Sequence, residues 1–141
     1  MGEVVAISLG AIFTLLSLLH IAWALGLKWG FQASLPTDEK NQKVLNPKPR
    51  DSFLVGAGLG FFAAFYLSAY AGVQMTASEV INQIFAWAIP LIFLLRSVGD
   101  FKYFGFFKKV TTTSFSRLDT NVIIPLCLLI SLLGFLLVGL S

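Results

Sequence analysis

Four long apolar runs, parted by polar segments, restrict this chain more than any other feature. They cover residues 4–27, 53–73, about 80–97 and about 121–140. A bilayer core about 30 Å thick is crossed by ~20 apolar helical residues, and each run is near that length. The runs are continuously apolar rather than alternating, which predicts spanning helices and not barrel strands. The expected fold is therefore all-α, a polytopic membrane protein with a four-transmembrane-helix bundle. All 141 residues form a single membrane domain in this reading. The composition agrees: 57% of residues are hydrophobic and 12% charged, against roughly 45–50% and about 25% in a soluble domain. A soluble fold of this size would have to expose large apolar patches.

Orientation follows from the ten Lys and Arg residues. Lys28, Lys40, Lys43, Lys48 and Arg50 lie in the first connection. Arg96, Lys102, Lys108, Lys109 and Arg117 lie in or beside the third. The N-terminus, the second connection and the C-terminus carry none. The positive-inside rule puts both long loops in the cytoplasm and both termini outside. The opening "MGEVVAISLG" lacks a basic n-region, so the first run is read as a retained helix. A pI near 9.2 could suggest nucleic acid. The basic residues sit beside apolar runs, however, where lipid headgroups are the nearer anions, and no nucleic-acid partner is expected.

Helical periodicity sorts the faces. On the first helix Ala6, Gly10, Thr14, Ser17, His20 and Ala24 share one side, which should turn into the bundle. The second helix carries Gly56, Gly60, Ala64, Ser68 and Gly72, a stripe suited to close helix packing within the chain or in a homo-oligomer. The third places Asn82, Ala86, Pro90, Ser97 and Asp100 near one face. Arg96 and Asp100, at i and i+4, are spaced to pair. Ser116 and Asp119 have capping-box spacing, which makes Asp119 a helix-start acid favoured by the helix dipole.

The strongest polar groups thus collect in the half of the bundle nearest the basic loops. His20, Trp23, Arg96, Asp100 and Asp119 form a candidate polar pocket. Beyond it, Lys102, Tyr103, Phe104, Phe106, Phe107, Lys108 and Lys109 read as an aromatic-basic belt at the membrane interface, facing anionic headgroups. Several chemistries lack their parts. One His excludes a two-His haem site within the chain, and the single Cys127 excludes an internal disulfide. There is no HExxH, no P-loop and no Gly-x-Ser-x-Gly. No cofactor and no metal are expected.

Two longer stretches carry a resemblance. "LHIAWALGLKWGFQASLP" at 19–36 and "LLRSVGDFKYFGFFKKVTTTSFSRLDTNVIIPLCLLI" at 94–130 resemble the signatures of a family of small four-helix bacterial membrane proteins of unknown function. The shared positions are His20, Trp23, Ala24, Leu25, Gly26 and Pro36, then Arg96, Gly99, Asp100, Phe101, Gly105, Phe106, Phe107, Lys108, Asp119, Thr120, Pro125, Leu126 and Cys127. Ala22 and Leu27 stand where the family often has an aromatic and a second glycine. The resemblance implies a multi-pass protein of the bacterial plasma membrane and brings no activity. Small multidrug transporters match in size and helix number. Their first-helix glutamate has no counterpart here, since Glu3 lies at the chain's start.

Two functions fit these features. The first is a non-catalytic membrane protein binding lipid or a partner through the aromatic-basic loop. The alternative is a binder, transporter or membrane-embedded enzyme for an acidic amphiphile, in a cytoplasm-facing cavity near His20, Arg96 and Asp100.

Overall fold

The computed structural model describes all 141 residues. It contains four helices long and apolar enough to cross a membrane and no strand, the architecture of a multi-pass membrane protein. Helix α1 is Gly2–Ala24, α2 is Pro49–Tyr70 and α3 is Glu79–Val98. The fourth crossing, Ser114–Leu140, is composite. It opens with a short helix α4 (Ser114–Leu118), widens into a π-turn (Asp119–Ile123) and continues as α5 (Ile124–Leu140).

Helix ends follow local chemistry. Pro49 and Arg50, expected in the first loop, instead start α2. Proline suits the first helical position, where its missing N–H has no partner to lose, and the Asp51 carboxylate accepts from the Lys48 N–H at 2.8 Å. Thr113 caps α4, its hydroxyl accepting from the Ser116 N–H at 3.1 Å. The fourth helix therefore starts seven residues before position 121, and Ser116 with Asp119 is not its capping box. The π-turn lies just before Pro125, which has no N–H to offer and whose ring crowds the carbonyl four residues back. The Ile124 N–H bonds to the Asp119 carbonyl instead, one residue wider than an α-turn.

Helix α1 packs along α2, and α3 along α5, with α1 also meeting α5. Close approach in the first pair rests on small residues. Ser17 donates its hydroxyl hydrogen bond to the Gly56 carbonyl at 2.7 Å. A Cβ at Gly56 would come within 2.8 Å of the Ile21 side chain, and one at Gly60 within 3.1 Å of Ser17 Oγ. Only these two of the five stripe residues pack closely. Ala64 and Gly72 are exposed, and Ser68 bonds back to the Phe65 carbonyl. On α1, Ala6, Gly10 and Ser17 are buried as the periodicity predicts, while Thr14 is exposed. In the second pair the buried Pro90 ring faces Gly134, where a Cβ would stand 2.7 Å from Pro90 Cβ.

Aromatic rings join the two pairs. Phe13 meets Phe62, Tyr66 and Phe93 at centroid distances of 5.5, 5.7 and 5.2 Å. Phe85 of α3 meets Phe61 of α2 at 5.1 Å. Such pairs add about 0.5–1.5 kcal/mol each beyond burial. The outward faces are apolar, with Leu15, Leu18, Leu54, Ile84 and Leu132 all exposed, a surface suited to lipid chains.

Candidate functional site

Helix α3 stops where Gly99 takes a φ of +90°. The chain then coils tightly: Phe101 has φ +64° and Gly105 φ +89°. Asp100 stands off the helix, so the i, i+4 pairing with Arg96 expected from the sequence does not form. The turn carries the Asp100 side chain onto the loop, where Oδ1 accepts the N–H groups of Lys102, Tyr103 and Phe104 at 2.9, 2.7 and 3.1 Å. Desolvation, the largest single influence, raises this carboxyl's pKa. The backbone N–H groups of Lys102, Phe104 and Tyr103 outweigh that and hold it below the ordinary aspartate value. A lowered pKa keeps the cap ionised at neutral pH. Its contribution to stability is full above the ordinary aspartate pKa and is lost as pH falls from there through the lowered value. The cap also offsets the cost of a left-handed phenylalanine at 101.

The loop closes onto the end of α3. The Phe106 N–H donates to the Ser97 carbonyl at 2.7 Å, and the N–H groups of Lys109 and Val110 donate to the Lys102 carbonyl at 3.0 and 2.9 Å. Gly99 and Gly105 lie face to face. A Cβ on Gly99 would collide with the Phe104 carbonyl oxygen, and one on Gly105 with Gly99 Cα.

Arg96 pairs across the bundle with Asp119. Its Nη2 donates to Oδ1 at 2.9 Å, and its guanidinium lies 4.4 Å above the Phe104 ring. The other carboxylate oxygen accepts the Gly105 N–H at 2.8 Å and the Lys108 ammonium at 3.2 Å. Asp119 is 0% exposed. It occupies the π-turn, one helical turn inside the fourth crossing, and not at its start. The Lys108 side chain, assigned from sequence to the outer belt, is 4% exposed. It also bonds Thr120 Oγ1 at 2.6 Å and the Gly105 carbonyl at 3.3 Å. A buried carboxylate is tolerable when opposite charges and N–H groups surround it, and here two cations and one amide do so. Arg96 Nη1 is buried with no protein acceptor.

His20 and Trp23 belong to a different cluster. The His20 Nδ1–H donates to the Leu16 carbonyl at 2.8 Å, and its ring sits 4.8 Å from that of Trp23, edge to face. Trp23 Nε1–H donates to the Trp29 carbonyl at 2.8 Å, and Phe31 meets its ring at 5.7 Å. These contacts fold the first loop back over the end of α1. No hydrogen bond or ion pair joins His20 to Arg96, Asp100 or Asp119. The five residues of the candidate polar pocket thus divide into a loop-docking pair, a turn cap and a buried ion cluster.

What remains outside is a second ring of residues. Phe101 and Phe107 stack on one another at 6.0 Å, and with Phe106 they remain 57%, 62% and 64% exposed on one loop. Lys102, Lys109 and Arg117 are exposed and in no ion pair. Lys102 Nζ lies 5.0 Å from the half-buried Tyr103 ring. A cleft of about 310 Å³ opens here, with Phe106 and Arg117 at its wall beside Thr111, Ser116 and Asn121. No group of three His, Cys, Asp or Glu side chains is placed to hold a metal ion. Gly99 and Gly105 stand among the signature positions, but neither they nor Thr113 were expected to build the site. Two glycines six residues apart around an Asp-Phe turn were the available signal.

No curated protein and no solved structure matches the chain. A family model described as "Protein of unknown function (DUF3995)" matches residues 13–134, a span from the middle of α1 into α5 that takes in both signature stretches. The chain belongs to that family.

Proposed function

We propose that this DUF3995 protein is a non-catalytic multi-pass protein of the bacterial plasma membrane whose third connection binds anionic lipid headgroups on the cytoplasmic side. One observation carries the reading: the charges of the loop are segregated. Arg96 and Lys108 are both tied to Asp119 inside, while Lys102, Lys109 and Arg117 face outward beside Phe101, Phe106 and Phe107. Exposed aromatics and unpaired cations together suit the headgroup layer, where rings sit at the interface and ammonium groups meet phosphate. The cleft beside Phe106 and Arg117 has room for one small polar headgroup. The positive-inside distribution supports the cytoplasmic assignment. The competing reading, an acidic amphiphile held between His20, Arg96 and Asp100, has less support, because Asp100 is engaged by backbone amides and Arg96 by Asp119.

The test is lipid selectivity in nanodiscs of equal phosphatidylglycerol and phosphatidylethanolamine, read by native mass spectrometry of the ejected protein. Each surface cation contributes about 1 kcal/mol toward an anionic surface, so three give about 3 kcal/mol, roughly a hundredfold. The natural protein is expected to retain phosphatidylglycerol preferentially. The K102Q/K109Q/R117Q variant is expected to lose that preference with its thermal stability unchanged. Equal selectivity in both proteins would overturn the proposal.

A further inference from the structure

The opposite end of the bundle has contrasting chemistry. A cleft of about 790 Å³ opens there between all four crossings. That lies in the upper part of the usual range for small-molecule sites, about 300–1,000 Å³. Its charged lining groups are both acidic: Glu3 of α1 and Glu79 of α3. Both are exposed and neither is in an ion pair. No Lys or Arg lies at this end, since all ten belong to the two long connections and their flanks. Phe65 and Trp87 supply aromatic wall.

A second, independent feature lies deeper. Tyr66 lines the cleft and is 1% exposed, yet its hydroxyl has no hydrogen-bond partner. A buried hydroxyl left unpaired costs about 1–3 kcal/mol. Nothing in the packing requires it. The Tyr66 ring already stacks on Phe13, and a phenylalanine would keep that contact. Opposite the hydroxyl, α5 presents Gly134, where a Cβ would lie 3.3 Å from the oxygen. Pro90 and Gly134 thus close around the hydroxyl without offering it a hydrogen-bond partner, and it lies at the base of the cleft as a polar atom that the protein itself does not satisfy.

We propose that this cleft is a binding site for an amphipathic organic cation. Its ammonium sits at the mouth between Glu3 and Glu79, its apolar body lies along Phe65 and Trp87, and a hydrogen-bonding group reaches the Tyr66 hydroxyl. Carboxylates at the mouth select positive charge, and aromatic faces bind cations further through the ring quadrupole. This site lies at the far end of the bundle from the loop surface proposed to bind anionic lipid. It stands or falls independently of that function.

The test uses protein in neutral detergent, titrated calorimetrically with 4-hydroxyphenethylammonium and, in parallel, with neutral 4-ethylphenol. The cation is expected to bind saturably and the neutral compound at least tenfold more weakly. E3Q/E79Q is expected to weaken the cation at least tenfold. E39Q, which removes the same kind of charge at the other end, leaves binding unchanged. Y66F is expected to weaken binding about tenfold while its melting temperature stays equal or rises, because the deleted hydroxyl has no partner in the protein. Equal binding of the neutral compound, unaltered binding in E3Q/E79Q, or no saturable binding up to the solubility limit would overturn the proposal.

Discussion

Replacing Asp119 with alanine is expected to destabilise the protein by about 3–5 kcal/mol, the cost of leaving buried charges without their counter-ion. The Lys108 ammonium is 4% exposed and would keep only Thr120 Oγ1 and the Gly105 carbonyl. Arg96 would keep only its stacking on Phe104. The Gly105 N–H would lose its acceptor as well. Unfolding by denaturant in mild detergent measures the loss. A simultaneous exchange of Arg96 and Lys108 for methionine and of Asp119 for leucine should recover most of it, since the attraction within a buried ion cluster roughly balances its desolvation. A loss below about 1 kcal/mol in the single variant would place the cluster at the level of a surface pair.

Gly99→Ala and Gly105→Ala are expected to be the next most damaging changes. Each residue has φ near +90°, where a side chain costs about 1–3 kcal/mol in backbone strain alone. Each added Cβ would also strike backbone of the facing strand of loop, which cannot rotate away as a side chain can. The chain must then open between Val98 and Phe106, releasing the Phe106 N–H from Ser97 and the Gly105 N–H from Asp119. Gly58→Ala is the control. A Cβ there meets nothing within 4 Å, and alanine favours a helix interior by about 1 kcal/mol. The expected order of melting temperature is Gly58→Ala highest, then the natural protein, with both loop variants well below. Loop variants that melt with the natural protein would contradict the tight turn.

The crossings were legible in the sequence because hydropathy and length act over ~20 residues, and errors of a few positions at the ends do not change the sum. The site was less legible because it depends on single dihedral angles. Arg96 and Asp100 have the spacing of helical neighbours, but Gly99 stands between them and turns the chain out of the helix. Spacing then no longer predicts which face a side chain shares. Asp119 was read one helical turn out of place, since Thr113 rather than Ser116 begins the helix. Lys108 and Lys109 look interchangeable in sequence, yet one is buried against Asp119 and the other is exposed. That difference is set by the direction of the chain leaving Gly105, and no composition rule sees it. The small-residue stripe of α2 was legible only at Gly56 and Gly60, because a four-residue repeat advances about 40° at each step and turns off the face that α1 covers, where Leu67 and not Ser68 meets Gly10.

Breaking the internal cluster and stripping the outer cations are thus expected to differ. The first lowers stability and releases the loop; the second leaves the fold intact and removes lipid preference. Both expectations rest on Asp119 acting as the internal tie that folds the connection between the third and fourth crossings into one fixed shape. Hydrogen exchange at the Gly105 amide, in detergent micelles at neutral pH, tests this most directly. That N–H donates to a carboxylate with 0% exposure at 2.8 Å. It is expected to exchange as slowly as the amides in the middle of α5. Exchange as fast as that of an open loop amide would show that Asp119 does not hold the loop, and would contradict the account.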